Sequence, residues 1–340
     1  MTPTPSVRID VDLLQANIEA MQVACDARGV ALRPHAKTHK SLHVGRRQLA
    51  AGAVGLSVAT VGEGEVFADL LAEHERDLLV AYPVAVDPAR LLALGARVRT
   101  IIGVDSLAGV DLAAAAGVAV SIEVDCGLRR SGVRPLDAAA VEAYAVERGV
   151  EVVGVFTFPG HGYAPGGGRA EAARDEAAAL AACDVVAPVR SGGAAPTVAL
   201  SLADPGSPVT ELRPGVYVFG DAQQVALGAT TLDRVALSVR STVVSTAVPG
   251  QVVLDAGAKV LGVDRPPYVE SHGLVPAYPH ARLARLWEHH GVLETGDGPR
   301  PALGEVVDVV PNHVCSVVNL VDDVHAGDEV WPVDARGRNG

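Results

Sequence analysis

Short apolar segments alternate with longer segments of helical periodicity up to about residue 233. The apolar segments are rich in valine and apolar on both faces, a pattern typical of parallel strands that are covered on both sides. Strands are predicted at residues 31–37, 55–60, 77–81, 98–104, 118–125, 152–158, 185–191 and 208–219. Helices are predicted between them at residues 42–51, 61–72, 88–94, 106–116, 136–148 and 168–182.

The repeat of strand and helix predicts a closed (β/α)8 barrel of the TIM type, with a doubly wound open sheet as the alternative. After residue 233 the pattern changes to strands joined by turns, which predicts a β-rich second domain. Its strands are predicted at residues 235–244, 251–256, 306–310, 314–320 and 329–333, with loops at 255–262 and 294–303. The predicted domains are a barrel of residues 12–234 and a C-terminal β-domain of residues 235–340. Residues 1–11, with a strand at 7–11, are a candidate for pairing with that β-domain.

The composition limits the kinds of partner. A chain of 340 residues, 49% hydrophobic and 20% charged, is typical of a globular protein with a large barrel and a second domain. The formal net charge of -12 argues against a nucleic-acid partner, because a phosphate backbone requires a basic surface. No apolar run approaches the roughly 18 residues of a membrane span. The N-terminus lacks signal-peptide features, and the four scattered cysteines are typical of reduced thiols, so a cytoplasmic location is predicted.

Lysine is rare in this chain and concentrated in one segment. Lys and Arg total 28, yet lysine occurs only at positions 37, 40 and 259. An amine can lose its proton when desolvated and form a Schiff base with a carbonyl cofactor, whereas a guanidinium cannot. A basic turn opening the next helix is the alternative, and it suits Lys40 better than Lys37. If residues 31–37 form a strand, Arg33, His35 and Lys37 share one of its faces.

Further candidate residues follow the predicted strands, where the reacting groups of barrel enzymes lie. Glycines after the seventh and eighth strands let backbone N–H groups approach a phosphate, with a tight turn as the alternative. Arg130 is either an anion contact or a surface arginine, and His161 is either catalytic or an ordinary loop histidine. The candidate set at the strand ends is His35, Lys37, Arg130, His161, Tyr163, Gly192, Gly193, Thr197, Arg213, Gly215 and Tyr217.

A candidate metal pair lies in the second domain, in the segment Pro-Asn-His-Val-Cys at residues 311–315. On a strand, His313 and Cys315 would point the same way, and imidazole and thiolate together suit Zn²⁺. A half-buried strand with a core cysteine is the alternative reading. Two ligands are fewer than the three that catalytic zinc sites usually have.

Together these segments resemble the D-threonine aldolase and D-serine dehydratase family over nearly the whole chain. The resemblance implies an alanine-racemase-type barrel (fold type III) that binds pyridoxal phosphate, with a C-terminal β-domain. The segment at residues 33–40 matches the family's lysine motif, which makes Lys37 the residue bonded to the cofactor. Arg130 resembles the arginine at the cofactor's phenolic oxygen. Gly192, Gly193 and Gly215 resemble the family's phosphate-cradling positions. Arg213 resembles the alanine racemase arginine at the pyridine nitrogen. His313 and Cys315 resemble the family's metal ligands.

The resemblance implies a lyase dependent on pyridoxal phosphate and a divalent metal that acts on small D-β-hydroxy-α-amino acids, as a homodimer. Zn²⁺ is the first choice of metal, with Mn²⁺ or Mg²⁺ as alternatives. Lys37 would take the Cα proton, and the metal would activate the β-hydroxyl, giving a keto acid and ammonia. If a base removed the hydroxyl proton instead, the Cα–Cβ bond would break to give an aldehyde and glycine. The aldolase branch has Asp at the position of Cys315 and Gln-His after the sixth strand, where this chain has Gly160 and His161. Both differences count against an aldolase without excluding one.

Two rival functions belong to other classes. A pyridoxal-phosphate-dependent amino-acid racemase needs a second base on the opposite face of the cofactor, commonly a tyrosine. Tyr268 and Tyr278 are available, but neither lies in a racemase-like motif. A non-enzymatic pyridoxal-phosphate homeostasis protein resembles a lone barrel, and the β-domain argues against it.

Overall fold

The computed structural model describes residues 3–166 and 168–340, so that Met1, Thr2 and Gly167 lie outside the described residues. The strands are β1 (Ser6–Ile9), β2 (Ala31–Leu32), β3 (Gly55–Val58), β4 (Asp77–Pro83), β5 (Thr100–Val104), β6 (Ala119–Glu123), β7 (Val152–Phe156), β8 (Val189–Gly192), β9 (Glu211–Leu212), β10 (Leu237–Ser245), β11 (Gln251–Leu254), β12 (Gly273–Leu274), β13 (Arg282–Leu286), β14 (Gly291–Glu294), β15 (Val306–Pro311), β16 (Asp323–Ala326) and β17 (Glu329–Pro332). The helices are α1 (Val11–Asp26), α2 (Leu42–Ala51), α3 (Val61–Glu73), α4 (Pro88–Gly95), α5 (Leu107–Ala116), α6 (Ala138–Glu147), α7 (Gly168–Ala181), α8 (Val198–Ala203), α9 (Ala222–Ala226), α10 (Ala258–Leu261) and α11 (Val314–Leu320).

The chain divides into two compact units. The barrel unit comprises Ile18–Lys37, Leu42–Gly215 and Gly337–Gly340. Of the described residues, the strand unit comprises residues 3–17, Thr38–Ser41 and Val216–Arg336. No helix among the described residues is both long enough and apolar enough to cross a bilayer.

The barrel unit is a parallel sheet of eight strands in the order β2-β9-β8-β7-β6-β5-β4-β3. Its two end strands meet, because Val54 N donates to Leu32 O at 2.9 Å and Ser57 N donates to Pro34 O at 2.8 Å. These bonds close the sheet on itself. The predicted (β/α)8 barrel is therefore confirmed, and the open-sheet alternative is wrong.

Helix ends in the barrel unit follow local sequence signals. The Thr60 side chain accepts a hydrogen bond from Glu63 N and caps α3, and Ser106 caps α5 through Gly109 N. Gly117 ends α5 at φ 65°, a left-handed conformation that glycine adopts without steric cost. These signals explain why most barrel helices begin and end within a few residues of their predicted positions.

The strand unit is a largely antiparallel sheet in the order β13-β14-β11-β10-β1-β16-β17, with β15 pairing with both β10 and β12. β1 lies in the middle of this sheet, antiparallel to β10 and parallel to β16. The N-terminal strand is thus an internal strand of the β-rich unit. The predicted β-rich C-terminal domain is confirmed.

Two predicted barrel strands are much shorter than expected. The strand predicted at 31–37 ends at Leu32, and the one predicted at 208–219 is reduced to β9. Pro34 and Pro214 follow these strands, and proline has no N–H to donate to a sheet. The shared strand face for Arg33, His35 and Lys37 is therefore wrong. Arg33 is buried and pairs with Glu211, Nε to Oε2 at 2.7 Å.

Two predictions for the second domain are also wrong. Residues 314–320 form the helix α11 instead of a strand, and the predicted loop at 255–262 contains α10. Residues 314–320 are rich in valine, which favours strands, but the buried residues Val314, Val317 and Val318 follow helical spacing. Burial of this helical face overrides the local strand preference. The short strands β12, β13, β14 and β16 were not predicted at all.

Candidate active site

Lys37 lies just beyond β2, at the carboxyl end of the barrel strands. His35 N donates to Pro214 O at 3.0 Å, which extends the pairing of β2 with β9 past the last regular strand residue. Lys37 follows in the 3-10 turn Ala36–Thr38 and is half-buried. Its Nζ lies 5.6 Å from the centre of the Phe158 ring. The described part of the chain offers this amine no ion pair, so it is available for covalent chemistry.

Lys40 is in a different situation. Its Nζ donates to Asn319 Oδ1 at 2.8 Å within the strand unit, and its side chain is buried. Its backbone has φ 49°, and its carbonyl accepts a hydrogen bond from Ala335 N at 2.9 Å. The structure thus gives Lys40 a positional role, which agrees with Lys37 as the reactive lysine.

Arg130 is carried by a loop that Asp125 organises. Asp125 Oδ1 accepts a hydrogen bond from Arg129 N at 2.9 Å, and Arg129 has φ 57°. A Cβ at Gly132 would lie 2.7 Å from Asp125 N, so only glycine fits at this point of the loop. The Arg130 guanidinium lies 5.1 Å from the centre of the Phe158 ring.

Phe158 therefore has the cations of Lys37 and Arg130 within reach of the same ring, a favourable arrangement for an aromatic face. The nearest acid is Glu123, whose Oε1 lies 3.6 Å from Arg130 Nη2. Burial raises the pKa of Glu123, while hydrogen bonding from Ser131 and the charge of Arg130 lower it. This edge of the barrel is therefore suited to an anionic ligand.

His161 lies in the 3-10 turn Gly160–Tyr163 that follows β7. Its Nε2 is 3.0 Å from Asp175 Oδ2, and its Nδ1 is buried without a hydrogen-bond partner among the described residues. A carboxylate on one ring nitrogen fixes the orientation of the ring and leaves the other nitrogen to react. The structure thus favours the catalytic interpretation of His161 over an ordinary loop histidine.

The glycines after β8 contact a buried acid that the sequence did not predict. Gly193 has φ 89°, and its N–H donates to Glu176 Oε1. Glu176 also accepts a hydrogen bond from Ser201 Oγ at 2.7 Å and is completely buried. A Cβ at Gly192 would lie 2.4 Å from Glu176 Oε1. Close approach of this carboxyl group therefore explains the glycine pair at least in part, and the Gly193 N–H is already engaged.

Glu176→Gln should change how stability depends on pH. Burial raises the pKa of Glu176, although bonds from Gly193 N and Ser201 lower it. Because the folded pKa lies above the unfolded value of about 4.3, ionisation of Glu176 destabilises the folded chain as pH rises through that raised pKa. The glutamine does not ionise. The Tm of the variant minus that of the wild type should therefore increase from acidic to neutral pH, measured by thermal denaturation. The exposed Glu147→Gln is the control, and a pH-independent difference for Glu176→Gln would contradict the raised pKa.

Arg213 lies inside the carboxyl end of the barrel. Its Nη2 donates to Thr157 O at 2.7 Å, its Nη1 donates to Ser191 Oγ, and its guanidinium lies 5.0 Å from the Phe156 ring centre. Burial lowers the pKa of Arg213, opposed by Glu211 and other buried acids. Its Nε is buried with no acceptor within residues 3–166 and 168–340. A ligand with an acceptor atom would complete this donor.

The remaining predicted residues divide between the two units. Thr197 is completely buried and holds the turn after β8, with Oγ1 3.2 Å from both the N and the O of Ala194. His35 Nδ1 accepts a weak hydrogen bond from Lys37 N at 3.4 Å. The other positions are Tyr163, half-buried after β7, Gly215, the last residue before the strand unit, and Tyr217, half-buried in the 3-10 turn Val216–Val218.

The predicted metal pair lies at a helix start, not on a strand. His313 is extended, with φ -142°, and precedes α11, whose second residue is Cys315. The prediction that both side chains share a strand face is wrong, but the helical turn still keeps them close. Asp221 Oδ2 lies 3.4 Å from His313 Nδ1, and Thr38 Oγ1 lies 3.3 Å from Cys315 Sγ.

The chemistry of this pair suits a cation. Burial alone would lower the pKa of His313, but the negative Cys315 and Asp221 raise it to about 11. Surroundings that hold a proton this firmly also attract a metal ion. By contrast, burial raises the pKa of the Cys25 and Cys126 thiols to about 11, as expected of inert core cysteines. Among the described residues, no group of three or more His, Cys, Asp and Glu side chains is placed to hold a metal.

Sequence reasoning did not single out Phe158, Glu176, Asp221 or Thr38. Thr38 adjoins the lysine motif, and Asp221 followed three residues later by Gln224 is a helix-start signal that could have been read. Glu176 lies within the alanine-rich α7, where no local pattern marks it as buried. Its role depends on the packing of α7 against β8.

Two family models match the chain. The family described as "Alanine racemase, N-terminal domain" matches residues 9–223, and the one described as "Putative serine dehydratase domain" matches residues 236–326. The chain therefore belongs to the alanine racemase N-terminal domain family.

Its curated relatives include two named lyases. D-threo-3-hydroxyaspartate dehydratase of Delftia sp. strain HT23 is 36% identical over 92% of this chain and 91% of that protein. D-threonine aldolase of Arthrobacter sp. is 35% identical over 98% of this chain and 93% of that protein. The solved structure of the Delftia dehydratase has a TM-score of 0.84 at 32% identity, covering 98% of this chain and 97% of that one.

Alanine racemase of Streptomyces lavendulae shares only the fold, with a TM-score of 0.68 at 19% identity over 96% of this chain and 97% of that one. The chain is thus a pyridoxal-phosphate-dependent lyase, as the sequence predicted. The racemase alternative has no support beyond the fold. The homodimer and the cytoplasmic location stay predictions.

Proposed function

We propose that this enzyme dehydrates a D-β-hydroxy-α-amino acid to a 2-oxo acid and ammonia, with pyridoxal phosphate on Lys37 and a divalent metal on His313 and Cys315. The observation that carries the proposal is the pair at the start of α11, with Asp221 behind it. A racemase moves only the Cα proton and has no hydroxyl to activate. A dehydratase must expel hydroxide, for which a Lewis acid lowers the barrier.

The barrel residues fit pyridoxal phosphate. Arg130 adds a positive charge at the aromatic ring beside Lys37. Within the described residues, Lys37 has no competing ion pair and Arg213 Nε is a buried donor without an acceptor. Bound pyridoxal phosphate supplies an electron sink for the pair left when the Cα–H bond breaks. The phosphate-cradling role remains proposed for Gly215 and Gly192, whereas Gly193 N already donates to Glu176.

The chain's own side chains then handle the protons. Lys37 Nζ takes the Cα proton, since its amine is half-buried and unpaired. Protonated His161, which Asp175 holds through Nε2 at 3.0 Å, gives its Nδ1 proton to the departing hydroxyl, which leaves as water. Arg130 and the buried Arg213 orient the anionic groups around the reacting carbon.

The metal proposal has independent support in the donor set. His313 and Cys315 combine an imidazole and a thiol in negative surroundings, and this pairing favours Zn²⁺ over Mg²⁺. A solved structure of a D-threo-3-hydroxyaspartate dehydratase is a cysteine-to-alanine variant in the metal-free form. A bound divalent metal supplies a Lewis acid for the β-hydroxyl.

A second candidate is retro-aldol cleavage to glycine and an aldehyde, which the 35% identical D-threonine aldolase favours. The thiol of Cys315, where the aldolase branch has a carboxylate, favours dehydration. His161 would act in cleavage as the base that takes the hydroxyl proton.

The test is product analysis with D-serine, D-threonine and D-3-hydroxyaspartate on the cofactor- and zinc-loaded enzyme. Dehydration of D-threonine gives 2-oxobutyrate and ammonia in equal amounts, and this is the expected result. Glycine and acetaldehyde in place of 2-oxobutyrate would show that the enzyme catalyses retro-aldol cleavage instead of dehydration. His161→Ala should slow the faster reaction by about 10²–10⁴-fold, the usual contribution of an acid–base group.

A further inference from the structure

A buried polar side chain of the strand unit lies beside each member of the metal pair. Asp221 Oδ2 lies 3.4 Å from His313 Nδ1, and Thr38 Oγ1 lies 3.3 Å from Cys315 Sγ. Asp221 and Thr38 are both completely buried. We propose that Asp221 and Thr38 are positioning residues for the metal ligands, an inference that rests on the proposed metal site. Asp221 selects the tautomer of His313, and Thr38 holds the Cys315 thiolate by hydrogen bonding.

Asp221 is fixed independently of the metal. It caps α9, where its Oδ1 accepts a hydrogen bond from Gln224 N at 2.8 Å. Its Oδ2 faces the first amide of α11, Val314 N, at 3.4 Å, and His313 Nδ1 at the same distance. A buried carboxylate requires partners on both oxygens, and these donors supply them. Its position is therefore set by two helix starts.

The carboxylate determines which nitrogen of His313 can bind a metal. His313 Nδ1 is buried, and its distance to Asp221 is that of an ion pair, longer than a well-formed hydrogen bond. A neutral imidazole carries one proton, and a carboxylate beside Nδ1 favours the proton there. Nε2 then keeps its lone pair for a metal and becomes more basic.

Thr38 performs the matching task for the other ligand. As a thiol, Cys315 donates to the Thr38 hydroxyl, and as a metal-bound thiolate it accepts from that hydroxyl instead. Thr38 is the last residue of the 3-10 turn Ala36–Thr38. One turn of the chain therefore carries both the proposed cofactor lysine and the partner of a metal ligand.

Asp221→Asn separates this role from helix capping. Asparagine caps helices as well as aspartate, so α9 is retained with Oδ1 on Gln224 N. The side-chain NH₂ then faces His313 Nδ1–H and the Val314 N–H, and since all three groups are hydrogen-bond donors, this arrangement is unfavourable. His313 is expected to move its proton to Nε2, the nitrogen that a metal needs. The affinity for Zn²⁺, measured by chelator competition on the full-length enzyme, should fall about 10–100-fold.

Controls isolate the effect. Asp87→Asn changes another capping aspartate, which accepts a hydrogen bond from Ala89 N at 2.9 Å on α4, and should leave zinc affinity unchanged. Thr38→Val removes the hydroxyl at nearly constant volume and should weaken zinc binding about tenfold, as expected for one hydrogen bond to a charged group. Thr38→Ser keeps the hydroxyl and should bind zinc with the affinity of the wild type. In cobalt-loaded enzyme, Thr38→Val should shift the thiolate charge-transfer band, whereas Thr38→Ser should not.

The outcomes are distinguishable. In the first outcome, the wild type binds Zn²⁺ and needs it for turnover, and Asp221→Asn and Thr38→Val bind zinc with the same affinity and show unchanged cobalt spectra. That outcome would overturn the positioning role and leave the proposed function standing. If the wild type binds no Zn²⁺, both are overturned. If Asp221→Asn does not fold, the comparison of Thr38→Val with Thr38→Ser tests the positioning role alone. A residue with a purely structural role is not expected to recover zinc affinity and the cobalt spectrum with serine.

Discussion

Lys37→Ala should abolish both the visible absorbance of bound pyridoxal phosphate and turnover. The variant loses the amine that holds the cofactor and the base that takes the Cα proton, and the base alone contributes about 10²–10⁴-fold to the rate. Lys40→Ala should retain the absorbance, because the Lys40 amine already donates to Asn319. Absorbance and turnover of the purified variants are the measurements.

The lysine assignment can be checked chemically in the wild type. Borohydride reduction fixes the cofactor on the lysine that carries it, and peptide mapping then identifies the residue. The chain has only three lysines, at positions 37, 40 and 259, so the map is unambiguous. Cofactor on Lys40 or on the exposed Lys259 would contradict the assignment.

Removing the metal should have the second large effect. A strong chelator is expected to stop lyase turnover while the cofactor absorbance persists, because the metal acts on the hydroxyl and not on cofactor attachment. Zn²⁺ should restore turnover better than Mg²⁺ at equal concentration. Cys315→Ala should behave like the chelated enzyme, and the core variant Cys183→Ala is the matched control, since Cys183 is buried.

Replacing the thiol by a carboxylate tests the ligand role separately. Cys315→Asp converts the donor from soft sulfur to hard oxygen, so Mn²⁺ should rescue this variant better than it rescues the wild type. Full turnover of wild-type enzyme after verified metal removal would rule out the metal role.

The barrel could be predicted from sequence because each strand and helix is marked locally. Alternation of buried valine-rich segments with helices fixes the order of elements, and caps such as Thr60 and Ser106 fix helix starts. The strands around Pro34 and Pro214 could have been shortened from the same sequence, since each proline interrupts a ladder. The motif at 33–40 could be recognised all the same, because it does not depend on the strand length, and the chemistry assigned to it stays a prediction.

The second unit was less predictable because its elements depend on tertiary contacts. The segment 314–320 has the composition of a strand, yet the spacing of Val314, Val317 and Val318 makes a helix the structure that buries them together. His313 and Cys315 are close, as predicted, but the predicted reason, a shared strand face, is wrong because they lie at the start of a helix. Asp221 lies more than ninety residues before His313 in the chain, and no local pattern connects them.

The most direct test of the central claim is the fate of one D-β-hydroxy-α-amino acid on the cofactor- and zinc-loaded wild-type enzyme. The substrate that turns over fastest among D-serine, D-threonine and D-3-hydroxyaspartate should be followed by chiral chromatography together with an assay for 2-oxo acids and ammonia. The account predicts that each mole of D-substrate lost gives one mole of 2-oxo acid and one of ammonia, with no L-enantiomer. Accumulation of the L-enantiomer without 2-oxo acid would contradict a lyase and identify a racemase.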